Sequence, residues 1–183
     1  MTHKTGIVAM VFAVLVLQGC AGSRKTIQIG KAEPNPELSE QFNNVFQDGD
    51  FYFAGIPTEI GLASVSQEGV TVIVNLLPAE QQASRVSFDE PVLVKSLGMR
   101  YESIPMVPST FSTDDIDRLA AIIDEAEGRV LIHCASSNRV GGMWAAYLHR
   151  HRGYDLEEAI ELGMAAGLRP GRMIEAVKRV VGQ

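Results

Sequence analysis

The chain has 183 residues, 46% of them apolar and 21% charged, which suits one globular domain with a core of its own. Its formal charge of −6 argues against a nucleic-acid binder, which would show a basic patch or stripe. The charge is uneven: residues 20–128 hold 7 Lys and Arg against 17 Asp and Glu, a net of −10, whereas residues 129–183 hold 8 against 5, a net of +3.

The first segment reads as an export signal. Lys4 precedes a nearly unbroken apolar run from Ile7 to Leu17, and Gln18-Gly19-Cys20 follows. The run is shorter than the roughly 20 residues a membrane span needs. Leu17-Gln18-Gly19-Cys20 resembles the bacterial lipobox. That resemblance implies removal of residues 1–19, acylation of Cys20 and attachment to a membrane by acyl chains. Gly22, in place of the aspartate that retains such proteins in the inner membrane, implies the periplasmic face of the outer membrane. With Cys20 acylated, Cys134 is the only thiol of the mature chain. Residues 20–42, polar and containing Pro34 and Pro36, read as a flexible tether, and residues 43–183 as the domain.

Within the domain, strands and helices alternate. Phe51–Gly55 reads as a short strand, and Ile56-Pro57-Thr58 as the opening of a helix that Gly69 closes. Val70–Leu77 is a β-branched run of the kind buried on both faces of a sheet. Pro78–Ser87 reads as loop, Glu90–Leu97 as a short helix and Arg100–Met106 as a third strand. Ser112 and Asp115 have capping-box spacing before the helical pattern Ile116, Leu119, Ile122, Ile123. Arg129–His133 is the fourth strand, and helices are expected over about 139–152, 155–166 and 170–181. This order predicts an α/β fold: a mainly parallel central sheet of about four to five strands flanked by helices.

Residues 130–144 carry the chemistry. The apolar strand ends in His133-Cys134, a polar loop Ala135-Ser136-Ser137-Asn138 follows, and Arg139 opens an apolar helix containing Met143, Trp144 and Tyr147. A cysteine at a strand end and an arginine at a helix start frame a loop of backbone N–H groups. That arrangement suits a thiolate facing a tetrahedral oxyanion. Met143, Trp144 and Tyr147 read as core. His149 and His151 are two apart and share no helix face, so no metal site is expected. Arg169 and Arg172, flanking Pro170-Gly171, read first as solvated charges at a helix end, with contact to an anionic substrate as the alternative.

Five landmarks occur in order: Ala54-Gly55-Ile56-Pro57-Thr58, Val72–Leu76, Ser103-Ile104-Pro105, Phe111-Ser112 and His133–Arg139 with Trp144. On these, the segment from Phe51 to about Gly182 resembles the bacterial DUF442 family. This is the beta-lactamase-hydrolase-like phosphatase domain, grouped with the dual-specificity protein tyrosine phosphatases. The resemblance implies that Cys134 attacks phosphorus. It implies that the N–H groups of Ala135, Ser136, Ser137, Asn138 and Arg139, with the Arg139 guanidinium, bind the phosphate. It also implies that His133 supports the loop by hydrogen bonds to backbone groups, and that an aspartate protonates the leaving group. Asp114 is the first choice for that acid, with Glu80 an alternative; Asp115 is accounted for by the capping box. No cofactor is expected. The expected partners are a phosphate- or sulfate-containing substrate and, through Cys20, a membrane.

Three departures qualify the resemblance. Four residues lie between Cys134 and Arg139 where tyrosine phosphatases usually have five. Ser137 stands where a glycine is usual, which predicts a positive φ or a changed loop path. Val140 replaces a hydroxyl that assists thiolate departure. The short loop also suits a rhodanese-type sulfurtransferase. The Ser137 and Val140 changes also suit an envelope domain that binds anions or partners without turnover.

Overall fold

The computed structural model describes residues 27–182. The expected signal peptide and Cys20 lie outside the described residues. A six-stranded sheet forms the centre, with the order β1-β2-β3-β6-β4-β5. Its four parallel strands are β3 (Phe51–Ala54), β6 (Arg129–His133), β4 (Val70–Asn75) and β5 (Arg100–Ser103). Two antiparallel strands, β2 (Val45–Asp48) and β1 (Glu33–Pro34), extend the β3 edge.

Alternation along the strands gives each face its own core. Tyr52, Ile73 and Leu131 face α1 (Glu59–Gln67) and α3 (Glu90–Ser96), packing on Leu62, Val65 and Val94. Phe53, Val72, Val74, Val130 and Ile132 face the opposite layer, made of α4 (Thr113–Glu125), α5 (Asn138–Arg152), α6 (Leu156–Ala165) and α7 (Arg172–Val181). Trp144 lies at the centre of this layer, its ring 4.7 Å from Phe51, 4.9 Å from Phe53 and 5.2 Å from Tyr147. These tilted and stacked aromatic contacts fix α5 against the sheet.

The parallel strands end in one row. Ala54 pairs with His133, His133 with Asn75, and Asn75 with Ser103. The chain leaving each strand therefore emerges at the same edge, where open α/β sheets place their sites. The cysteine loop is the connection that leaves the central strand, β6.

The structure corrects the sequence reading in four places. Residues 27–42, read as tether, hold β1 and a 3₁₀ turn at Pro36–Leu38, and bury Ala32, Leu38 and Phe42. The sheet accordingly has six strands rather than four or five. Pro78–Ser87, read as loop, contains α2 (Ala79–Arg85), a helix with no buried residue and hence no apolar stripe to betray it. Within the opening expected at Ile56-Pro57-Thr58, Pro57 falls just outside α1 and Thr58 is the N-cap, its side chain accepting the Gly61 N–H.

Candidate active site

Cys134 directly follows β6 and is 1% exposed, bordering the apolar layer that contains Val140 and Met143. Its own N–H is bonded to Ala54 O at 3.1 Å, which continues the sheet by one residue. The loop then turns on Ser137, whose φ of 63° and ψ of −9° are left-handed. The positive φ expected from serine in a glycine position is thus present, and it costs on the order of 1–3 kcal/mol. Its immediate effect is to launch α5 at Asn138. The N–H groups of Asn138, Arg139 and Val140 open that helix and have no acceptor within it. They present the positive end of a 15-residue helix close to the cysteine.

Three side chains of the loop latch it to the turn between α6 and α7. Ser137 Oγ donates to Ala166 O at 2.8 Å, Asn138 Oδ1 accepts the Arg169 N–H at 2.7 Å, and Ser136 Oγ accepts from Arg169 Nη2 at 2.6 Å. On the opposite side, Asn43 Nδ2 donates to Ala135 O at 3.0 Å. The strained serine is therefore held from both sides.

Arg139 is half-buried and turned inward. Its Nη1 donates to Met106 O at 3.1 Å and Leu76 O at 3.4 Å, and its Nη2 donates to Gln81 Oε1 at 2.7 Å. All three acceptors are neutral. Among the described residues no carboxylate comes within ion-pair distance of Arg139, so its charge is uncompensated.

Beneath the loop lies a buried polar cluster. His133 and Glu90 are both fully buried, with Glu90 Oε1 2.8 Å from His133 Nε2. The approach angle falls outside hydrogen-bond range, and His133 Nδ1 has no partner among the described residues. His133 therefore does not bond loop backbone, as the resemblance implied; its nearest polar neighbour is Glu90. Glu90 Oε2 accepts from Gln82 Nε2 at 2.7 Å, and Asn75 Nδ2 donates to Gln82 Oε1 at 2.6 Å and to Tyr101 Oη at 2.8 Å. Burial pushes the Tyr101 hydroxyl up to about 12, against the lowering effect of the Asn75 contact.

A family model for the beta-lactamase hydrolase-like protein, phosphatase-like domain, matches residues 54–148, just over half of the chain. The chain belongs to this phosphatase-like family. A beta-lactamase hydrolase-like protein of Xylella fastidiosa is 26% identical over 127 residues, covering 69% of this chain and 30% of the relative. The chain thus spans about a third of the length of the curated relatives it matches. Among solved structures, Tk-PTP in its active form superposes with a TM-score of 0.63 at 21% identity, over 78% of this chain and 96% of that one. TpbA of P. aeruginosa gives 0.63 at 18% identity, over 83% and 89%, and a Cys-to-Ser form of TpbA was solved with pTyr. These likenesses show a shared tyrosine-phosphatase-like fold.

For a phosphatase-like domain the location of an acid matters next. Asp114 is exposed in the first turn of α4, one turn before Asp117, which accepts from Arg150 Nε at 2.7 Å. Arg150 is twelve residues beyond Asn138, about 18 Å along α5. Asp114 is therefore remote from the cysteine loop. Asp115 accepts from the Ser112 N–H at 2.9 Å, as a capping box requires, and from the Ser112 hydroxyl at 2.9 Å as well. The segment that does reach Arg139, from Ile104 to Ser112, carries no carboxylate. Glu80 is exposed in the first turn of α2, immediately before the Gln81 that holds Arg139. Of the candidate acids, it is the one on an element touching the arginine. Gln81, Asn43 and Glu90 were not singled out as site residues from the sequence, and the bonds that tie Arg169 to the loop were not foreseen.

Proposed function

We propose that this domain hydrolyses phosphate monoesters through a cysteinyl-phosphate. The observation that supports this reading most is Arg139: inward-turned, half-buried and uncompensated, at the start of a helix four residues past a buried cysteine. The Cys134 thiolate attacks phosphorus, and the P–O bond to the leaving group breaks as the S–P bond forms. Glu80 gives its proton to the departing oxygen. Water then attacks phosphorus, the S–P bond breaks, and inorganic phosphate leaves with the thiolate restored. Arg139 and the N–H groups at the start of α5 bind the non-bridging oxygens throughout.

The test is hydrolysis of p-nitrophenyl phosphate. Cys134→Ser should lose turnover yet still bind inorganic phosphate in calorimetry, since the N–H groups remain. Arg139→Ala should lower kcat/KM by about a hundredfold or more and weaken phosphate binding too. Full activity in Cys134→Ser overturns the nucleophile. Thiocyanate release from thiosulfate and cyanide, without phosphate release from the aryl ester, favours a sulfurtransferase instead. The Leu17–Cys20 pattern supports attachment to the bacterial envelope, to be read as incorporation of labelled palmitate that Cys20→Ala abolishes.

A further inference from the structure

Arg169 belongs to the turn between α6 and α7, outside the segment that the catalytic motif spans. Yet it is tied to that motif twice: its N–H is held by the Asn138 side chain at 2.7 Å and its guanidinium by Ser136 Oγ at 2.6 Å. The residue is exposed, and among the described residues no carboxylate comes within ion-pair distance. A guanidinium has five N–H donors in a rigid fork, so one bond to a hydroxyl leaves most of them open. Arg139 faces the Leu76 and Met106 side of the loop, and Arg169 the α6–α7 side. The cysteine loop runs between two uncompensated arginines.

The placement of Arg169 also carries an electrostatic cost. Arg169 and Arg172 gather at the N-terminus of α7, a ten-residue helix whose positive end disfavours cations. Neither forms an ion pair among the described residues, and Glu175 is the one acidic residue in that first turn. An anion supplied by a ligand would relieve that repulsion.

We propose that Arg169 is a specificity residue that binds a second negative group on the substrate, beside the phosphoryl group taken by Arg139. The substrate class is then a phosphate monoester with a carboxylate or second phosphate close to the scissile ester. This rests on the phosphatase reading above, and its failure is separable from the failure of that reading. The experiment uses three phosphotyrosyl peptides that differ only at the flanking position: glutamine, aspartate or phosphoserine. The intact protein should prefer the aspartate or phosphoserine peptide over the glutamine peptide by about tenfold in kcat/KM. Arg169→Gln should bring that ratio close to one, and Arg169→Lys should keep part of it. The larger ratio of the two identifies the anion. Equal kcat/KM for all three peptides in the intact protein overturns the proposal, as does a ratio that survives Arg169→Gln. Peptide binding to Cys134→Ser is the second readout. Equal affinities there sink the second-anion site alone, whereas no binding of any peptide sinks it together with the phosphatase reading.

Discussion

Ser137 shows how one residue can be both strained and secured. Its left-handed backbone is what a glycine would supply freely, and its hydroxyl supplies the bond to Ala166 that a glycine could not. The two effects are each on the order of 1 kcal/mol and opposite in sign. Ser137→Gly is therefore expected to change unfolding free energy by no more than about 1 kcal/mol. Ser137→Ala keeps the strain and leaves the Ala166 carbonyl without its partner, and should cost about 1–3 kcal/mol. Urea titration of the two variants checks this: if the hydroxyl bond is unimportant, Ser137→Ala keeps the native stability and Ser137→Gly exceeds it. Glu80 makes a second prediction at this scale. Glu80→Gln should lower kcat several-fold for phenyl phosphate, whose leaving group needs a proton, and much less for p-nitrophenyl phosphate. Equal losses on both esters would remove Glu80 as the acid. Cys134, Arg139 and the positive φ at Ser137 were readable because they lie in one short stretch with a known chemical logic. Arg169 read first as a solvated charge, with substrate contact only the alternative, since it is thirty residues from Arg139 and only folding brings it to Ser136.

The elements that frame the site differ in how plainly the chain announces them. β6 and α5 were legible to within a residue, because an apolar run and a helical pattern flank the loop. α2 was not: its side chains serve polar partners, Gln81 on Arg139 and Gln82 on Glu90, and hydrophobic periodicity carries no trace of that use. Glu90 looked like an ordinary acidic residue in a first helical turn, favoured there by the dipole. Its complete burial against His133 depends on tertiary packing. The α5–α6 pair offers a sharp test at this scale. A methyl on Gly141 would lie 2.4 Å from both Gly163 O and Leu168 N, which are backbone atoms that cannot swing aside. Gly141→Ala should destabilise the fold by about 1–3 kcal/mol or more. It should also reduce activity, since Gly141 is two residues from Arg139 and α6 leads into the turn that latches the loop. A variant with native stability and activity would mean that the helices separate freely.

Over the whole molecule, the response to alkali follows from its buried phenols. Burial first, then the Glu68 contact, raises Tyr52 to about 12, and burial raises Tyr101 to about 12 as well. Burial also raises Tyr147, against the lowering influence of Arg152. Each folded value lies above the unfolded value near 10, so the native state keeps these protons longer. Their stabilising contribution is complete below about pH 10 and disappears as pH rises through about 12. Unfolding free energy should fall steeply across that interval, and Tyr52→Phe should flatten the slope. The α/β class, the parallel centre and the site at the strand ends were all legible from alternating patterns. The extra antiparallel strands were not, because β1 is two residues of a proline-bearing segment and takes its conformation from pairing with β2. That modest strand has a consequence for behaviour in crowded surroundings. Pro34 has no N–H to offer, and at the other margin of the sheet β5 is four residues long and carries Arg100 and Glu102. Neither border offers a long, bare template on which another copy could add a strand, so the molecule resists the edge-to-edge growth that leads to fibrous aggregates.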